Sequence, residues 1–176
     1  MSYSLDDFCQ DTRSILDAHD NPDGRDRVRK KLERLLCDPA FCAEYLAPDN
    51  ESGVRQIFED PELHFCVLAY NMVAPRTSPP HDHGNSWAVY GQAVGHTDMT
   101  VWSAEGGNIE PVRTFRLEPG QAGLFDVREI HSIEYINGAK FVRVTGVDMS
   151  QETRRVFDAE TGSVREVDDV GAGSTR

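Results

Sequence analysis

From Val54 onward, the sequence consists of short runs of β-branched and aromatic residues separated by Gly, Pro, Asn and Asp. These runs are VRQIF, LHFCVLAYNMV, SWAVYGQAV, TDMTVWSA, PVRTFRL, AGLFDV, IHSIEYI and KFVRVTGVD. Parallel strands need a crossover of roughly a dozen residues or more, and no helix-length segment separates these runs. The pattern therefore predicts an all-β architecture with antiparallel pairing, as in a sandwich, a jelly roll or a small barrel.

The N-terminal quarter of the chain has helical periodicity instead. Ser4 and Asp7 form a capping pair for a first helix, and the NPDG sequence at 21–24 is expected to end it. A second amphipathic helix follows. Asp38 then has the position of a helix cap followed by proline, which predicts a short third helix through Leu46. We expect three helices before the first strand.

A chain of 176 residues with 39% hydrophobic residues has the length and apolar content of one ordinary domain. We expect a single domain over residues 1–176. Within it, residues 1–47 form the helical segment and residues 53–167 form the β-structure. Residues 168–176 contain no apolar anchor, which predicts a disordered tail.

Composition excludes several classes of protein. The net charge of −12 opposes binding to phosphate backbones and anionic lipids, so nucleic acid is not an expected partner. No apolar stretch is long enough to cross a membrane, and the acidic start does not resemble a signal peptide. The cysteines have neither a CxxC pair nor disulfide-like spacing, which favours reduced thiols and a cytoplasmic location. They are Cys9, Cys37, Cys42 and Cys66.

Two of the six histidines lie one residue apart, in the sequence SPPHDHGNSW. If His81 and His83 lie on a strand, both point to one face, with their backbones about 6.5 Å apart. His131 begins another strand-like run that can return beside the first in an antiparallel roll. Three imidazoles on one side of a metal leave its other side open, as in catalytic sites. The other three histidines receive no role, with His96 held only in reserve: His19, His64 and His96.

The HDH pair, position 88 and Gly95 have the spacing of the first cupin motif, and LEPGQAGLFDVREIHSIEYIN resembles the second. Ala88 stands at the position where most cupins have a glutamate ligand. The missing glutamate and the HDHGNSW sequence together make residues 50–148 similar to the thiol dioxygenases. These include cysteine dioxygenase and 3-mercaptopropionate dioxygenase. The resemblance implies a cupin double-stranded β-helix (jelly-roll) barrel with an N-terminal helical segment.

The resemblance also implies a function. Fe(II) held by His81, His83 and His131 would bind a substrate thiolate and O₂, and an arginine before the HDH pair would hold the substrate carboxylate. Counting back without gaps places that arginine at Arg55, with Arg143 as the competing anchor. An arginine suits this task because its guanidinium makes two charge-assisted bonds to one carboxylate.

Tyr90 follows Ala88 by two residues, so both should face inward, where a phenol could hydrogen-bond to oxygen or substrate. The expected ligands are therefore a small thiol-bearing carboxylate and O₂. In many members of the family a hydrogen-bonded Ser-His-Tyr set lies beyond the iron. Here no histidine follows His131, and the only later tyrosine is Tyr135, which leaves the identity of the substrate open.

Two other functions are compatible with the sequence. One is a metal-dependent cupin lyase or isomerase that acts on a small carboxylate without O₂. The other is a cupin that binds a small molecule without catalysis.

Overall fold

A computed structural model describes residues 2–168 as three α-helices followed by eleven strands, with two short 3-10 helices between strands. The helices are α1 (Leu5–His19), α2 (Pro22–Leu36) and α3 (Pro39–Tyr45). The strands are β1 (Gly53–Glu59), β2 (Cys66–Asn71), β3 (Arg76–Thr77), β4 (Ala88–Val94), β5 (Thr97–Ser103), β6 (Glu110–Leu117), β7 (Ala122–Phe125), β8 (Ile130–Tyr135), β9 (Lys140–Thr145), β10 (Thr153–Phe157) and β11 (Val164–Asp168). Within this range, every helix is too short or too polar to cross a membrane.

The predicted caps of α1 and α3 are present. The Ser4 side chain accepts from the backbone of Asp7, whose carboxylate accepts from Ser4 in return. Asp38 caps α3, and its carboxylate accepts from the backbone N–H groups of Ala40 and Phe41. These bonds satisfy amides that the first turn of a helix leaves without partners.

The NPDG sequence follows the end of α1, as predicted, and its first two residues also begin the second helix. Asn21 is the N-cap of α2, and its side chain accepts from Gly24 N at 3.0 Å. Pro22 is the first residue of the helix, where its fixed φ fits and its missing N–H costs nothing. Helices α1 and α2 are therefore separated only by Asp20 and Asn21.

The strand pairing is that of a hairpin wound into a roll. The pair β5–β6 is innermost, and β4–β7, β3–β8 and β2–β9 are nested around it, all antiparallel. The winding distributes these strands over two sheets with the orders β1-β2-β9-β4-β7 and β3-β8-β5-β6. This is the strand order of a jelly roll, the double-stranded β-helix that cupins share. The antiparallel jelly-roll prediction is confirmed.

The eight predicted runs correspond to β1, β2 and β4 to β9. Sequence analysis missed β3, which is two residues long, and the C-terminal hairpin formed by β10 and β11. The hairpin strands TRRVF and VREVD contain several charged residues, which obscure the β pattern. Asp168, the first residue of the predicted tail, ends β11, and residues 169–176 lie outside the described part of the chain.

The five-stranded sheet buries both of its faces. On β4, Val89 packs into a core shared with the three helices, whereas Ala88 and Tyr90 pack into the space between the two sheets. Gly91 lies on the helix side, where Leu32 and Leu36 of α2 come so close that a Cβ atom would clash with them. The helices therefore cover the outer face of this sheet, and its inner face is left to line a site.

Candidate metal centre

His81 and His131 lie directly opposite each other on adjacent chain segments. Each backbone N–H donates to the carbonyl of the other residue at 2.9 Å, and His131 is on β8. Residues opposed in this way have side chains on the same face of a sheet. The sequence predicted that a later strand would bring His131 beside the HDH pair, and it does so through this pairing.

The HDH segment does not form the strand that the sequence analysis considered for His81 and His83. His81 forms isolated bridges to His131 and Val156, and His83 belongs to no strand because the chain turns at Gly84, whose φ is 62°. The segment is extended only up to this turn. The two side chains nevertheless converge, with 5.5 Å between their ring centroids.

The three imidazoles form one buried cluster. The His131 ring centroid lies 4.6 Å from that of His81 and 4.7 Å from that of His83. One ring nitrogen from each residue lies within 4.8 Å of the others. The three residues are at most 5% exposed. This cluster contains no carboxylate among the residues described, so His81, His83 and His131 could hold a metal ion as three neutral ligands.

Hydrogen bonds set the ring nitrogens in the arrangement that metal binding requires. Nδ1 of His81 lies 2.9 Å from the Pro79 carbonyl, and Nδ1 of His131 lies 3.2 Å from the Glu129 carbonyl. A carbonyl only accepts, so each Nδ1 carries the proton and each Nε2 keeps a lone pair. Histidine ligands of metals are commonly oriented by such bonds to the backbone.

Two buried nitrogens of the cluster have no hydrogen-bond partner, namely Nε2 of His131 and Nδ1 of His83. A buried polar atom without a partner is costly and rare in folded proteins. A bound cation would supply the missing interaction for Nε2 of His131, the nitrogen of that ring that keeps a lone pair. The donor set therefore fits a metal ion.

Burial also keeps the rings neutral. It lowers the pKa of His81 to about 4 and the pKa values of His83 and His131 well below the usual value. Positive charge nearby, from the neighbouring rings and from Arg143 and Arg154, acts in the same direction. Neutral imidazole is the form that binds a metal, so the ligands are ready without losing a proton at neutral pH.

Two aromatic side chains hold the rings in place. Phe125, at the end of β7, stacks on His131 with 3.9 Å between centroids and 13° between planes. The hydroxyl of Tyr90 lies 3.3 Å from Nε2 of His83. Tyr90 therefore faces the cluster, on the same side of β4 as Ala88. Sequence analysis did not identify Phe125, whose position follows from the β4–β7 register.

Asp82, between the two histidines, points away from them. Its buried carboxylate accepts from Gly84 N and from the backbone N–H, Nε and Nη2 of Arg155 on β10. The two contacts to the guanidinium are 2.7 Å and 2.6 Å. Asp82 therefore binds the HDH segment to the C-terminal hairpin, a role that sequence spacing did not indicate.

Arg55 is not at the site, and its assignment as the carboxylate anchor is corrected. Arg55 is opposite Ala69, which packs in the core shared with the helices, so it lies on the outer face of the sheet. Its exposed guanidinium is 5.6 Å from the Tyr45 ring centroid. The error arose from counting back without gaps to a strand whose register could not be known.

Arg143, the competing anchor, lies on the inner face of the sheet. It is directly opposite Tyr90 on the neighbouring strand, so both side chains point toward the space between the sheets. Its guanidinium carbon lies 5.4 Å from the centroid of the Tyr70 ring. Arg143 therefore supplies positive charge beside the histidines.

Comparison with known proteins shows only distant likenesses. No family model and no curated protein matches the sequence. The cupin domain of Cnp3 from Schizosaccharomyces pombe is 16% identical, with a TM-score of 0.45, over 57% of this chain and 66% of that chain. KdgF from Halomonas sp. is 16% identical, with a TM-score of 0.42, over 55% of this chain and 82% of that chain.

A third similar structure is an uncharacterised Klebsiella pneumoniae protein with a double-stranded β-helix domain. It is 17% identical to this chain, with a TM-score of 0.41, over 58% of this chain and 78% of that chain. The assignment of the jelly roll rests on the strand order described above.

Proposed function

We propose that this protein is a mononuclear non-haem Fe(II) dioxygenase that oxidises a small thiol-bearing carboxylate with O₂. The observation that carries the proposal is the convergence of three neutral imidazoles, without a carboxylate, beside Arg143. The choice of iron and of a thiol comes from the resemblance of the HDHGNSW sequence to the thiol dioxygenases.

His81, His83 and His131 would hold the ion, and bound iron would supply sites for O₂ and for the substrate sulfur. Since the ligands are neutral, the ion keeps its full charge, which favours an anionic thiolate. An acidic ligand at position 88 would neutralise part of this charge. Ala88, which is buried on the inner face, leaves it undiminished.

The chain's own residues would bind and orient the substrate. The Arg143 guanidinium would donate two hydrogen bonds to the carboxylate, and the Tyr90 hydroxyl could donate one to substrate or oxygen. The overall reaction is R–SH + O₂ → R–SO₂H, in which sulfur is oxidised and both oxygen atoms enter the sulfinic acid. Burial of the cluster would keep bulk water from the reacting atoms.

The test is metal analysis of the protein as purified, followed by oxygen uptake with a panel of thiols. We expect iron near one equivalent, with O₂ and thiol consumed in equal amounts. His83→Ala should lose the metal and keep its β-structure, whereas His64→Ala should keep both. Full iron content in folded His83→Ala protein would contradict the assignment of the site.

The anchor is tested by the matched variants Arg143→Lys and Arg55→Lys. Lysine keeps the charge but loses the two-pronged geometry, so Arg143→Lys should raise KM by roughly tenfold while iron stays bound. Arg55→Lys should leave the kinetics unchanged. A raised KM in Arg55→Lys, with unchanged kinetics in Arg143→Lys, would instead identify Arg55 as the anchor.

The contact between Tyr90 and His83 supports a second candidate function, a metal-dependent lyase or isomerase in which the phenol acts as a base. Such an enzyme would act on a carboxylate substrate under anaerobic conditions. Substrate turnover in the absence of O₂ would therefore favour it over the dioxygenase. Ligand binding without any turnover would instead indicate a non-catalytic protein.

A further inference from the structure

The register of the four-stranded sheet places Arg113 in line with one member of the histidine cluster. His131 on β8 is directly opposite Val101 on β5, and Val101 is directly opposite Arg113 on β6. Directly opposed residues share a face of a sheet, so the three side chains are on the face that lines the space between the two sheets. The Cα atoms of His131 and Arg113 are two strands apart, which corresponds to about 10 Å.

This row of three residues leads from the buried cluster to solvent. His131 is fully buried, Val101 is partly exposed and Arg113 is exposed. Arg113 also lies on β6, which is at the edge of its sheet. The next inner-face residues of β6, Phe115 and Leu117, are partly buried and buried. A ligand that reaches the cluster along this row would therefore pass over Val101 and end at Arg113.

Phe115 holds the Arg113 guanidinium from one side. The guanidinium carbon lies 4.8 Å from the centroid of the Phe115 ring. Phe115 in turn stacks on Phe125, and Phe125 stacks on His131. An aromatic face attracts a cation above it, and the N–H groups of a stacked guanidinium still point outward in its plane. The stacking therefore orients Arg113 and leaves its donors available to a ligand.

Arg113 differs from Arg116 on the same strand. Arg116 lies on the outer face, where it forms a two-pronged ion pair with Asp98. Among the residues that the structure describes, no carboxylate forms such a pair with Arg113. The net charge of −12 disfavours the approach of an anion elsewhere on the molecule. An arginine in this position favours a carboxylate, to which it can make two charge-assisted hydrogen bonds.

We propose that the substrate is an extended thiol with a carboxylate at its far end, and that Arg113 binds this carboxylate. The inference rests on the proposed function, from which it takes the sulfur at the ion. The far carboxylate must then lie about 10 Å from the sulfur, the separation of His131 and Arg113 across two strands. An extended chain needs about eight bonds to span this distance. A thiol as short as 3-mercaptopropionate would not reach Arg113.

The experiment compares N-glutarylcysteine with N-pentanoylcysteine, which has a methyl group in place of the far carboxylate. Both compounds have the same thiol and the same near carboxylate, so they differ only in the group that would reach Arg113. We expect kcat/KM to be roughly three- to tenfold higher for N-glutarylcysteine, since an ion pair at an exposed guanidinium contributes less than a buried one. Arg113→Gln should remove this preference by raising KM for N-glutarylcysteine alone. Arg113→Lys should restore part of it.

Arg116→Gln is the control, because it removes one positive charge from the outer face of the same strand. It should leave the preference unchanged. Binding of the two compounds, measured anaerobically by calorimetry, gives a readout that does not depend on turnover. N-glutarylcysteine should bind more tightly to the parent than to Arg113→Gln. Added salt should weaken its binding more than that of N-pentanoylcysteine, because salt screens an accessible ion pair.

The failures can be distinguished. If neither 3-mercaptopropionate nor the two longer thiols cause oxygen uptake, the proposed function fails, and calorimetry alone then decides the role of Arg113. If the thiols are oxidised but Arg113→Gln slows both longer compounds equally or neither, the inference alone is wrong. An equal loss of affinity for both compounds in Arg113→Gln would likewise overturn it, since Arg113 would then only support the packing of Phe115.

Discussion

At the scale of single residues, the surroundings of each imidazole determine what it can bind. Backbone carbonyls orient His81 and His131, and burial keeps all three rings unprotonated. Phe125 covers one face of the His131 ring. A ring held in one orientation loses less freedom when it coordinates an ion, so packing should contribute to metal affinity.

The first prediction concerns this stacking. Phe125→Leu keeps an apolar side chain but removes the flat surface beside His131, so we expect metal affinity to fall by roughly tenfold. The cost in unfolding free energy should be about 1 kcal/mol. Phe115→Leu is the control, since Phe115 packs against Phe125 rather than against the histidines. Competition with a chelator measures the affinity, and equal losses in both variants would contradict the prediction.

At the scale of elements, the helical layer and the histidine cluster occupy opposite faces of one sheet. Helix α2 contacts β4 and β7, which also contribute Tyr90 and Phe125 to the inner face. This contact requires the absence of a side chain at Gly91, where a Cβ atom would lie 2.7 Å from Cδ2 of Leu32. The helices therefore stabilise the sheet without taking part in the site.

Gly91→Ala should consequently destabilise the protein by about 1–3 kcal/mol, because Leu32 and Leu36 must shift to accept the methyl group. Metal content should not change. Gly123→Ala is the matched control on β7, where the new methyl group would meet Phe115 at an ordinary 3.4 Å. Urea unfolding of the two variants, beside metal analysis, checks the prediction. Equal stabilities would mean that α2 does not pack as tightly as described.

Asp38 gives a pH-dependent prediction for the N-terminal helices. Its carboxylate accepts four hydrogen bonds, from Ser2 Oγ and from the backbone N–H groups of Tyr3, Ala40 and Phe41. These bonds lower its pKa from 3.8 to about 2. Since the folded state favours the ionised form, this stabilisation is present above about pH 4 and is lost as the pH falls toward about 2.

Asp38→Asn replaces one carboxylate oxygen by an amide N–H group, which cannot accept from the four donors that surround the Asp38 side chain. The variant should therefore have a lower urea midpoint than the parent at neutral pH. The difference from the parent should shrink between about pH 4 and about pH 2, as the parent carboxyl takes up its proton. Urea titrations across this range measure the effect. A difference that stays constant down to about pH 2 would show that the charge of Asp38 is not responsible.

At the scale of the whole molecule, the C-terminal hairpin completes the site. The pairing with β10 positions the HDH segment between β8 and the hairpin, and the ion pair between Asp82 and Arg155 fixes it there. His81 and His83 therefore depend on a part of the chain about 70 residues later in the sequence, as the 73-residue separation of Asp82 and Arg155 shows. Metal binding and docking of the hairpin should be coupled.

Asp82→Asn tests this coupling. The variant leaves Arg155 without its carboxylate, so we expect a loss of about 1–3 kcal/mol in unfolding free energy and weaker retention of metal. Asp98→Asn is the control, because Asp98 makes a similar two-pronged pair with Arg116 on the surface. That pair should contribute about 1 kcal/mol or less. Unchanged metal retention in Asp82→Asn would show that the hairpin does not support the site.

Local sequence patterns were sufficient for most of the elements of this fold, although not for β3 or for the hairpin of β10 and β11. Alternation and turn residues predicted eight of the strands, and the capping pair at Ser4 and Asp7 predicted the start of α1. These signals depend on residues close together in the chain, which is why they can be read without the fold. The HDH spacing and the later strand histidine likewise pointed to the residues that the structure brings together.

The tertiary structure alone decided which other side chains face those histidines. Arg55 and Arg143 both lie on strands of the same sheet, but a strand's register determines which face each one occupies. Arg154 and Arg155 are adjacent in sequence, yet pairing with the HDH segment directs one toward the cluster and the other toward Asp82. Register is set by contacts between distant segments, so composition and spacing could name the three clustered histidines but not the charges around them.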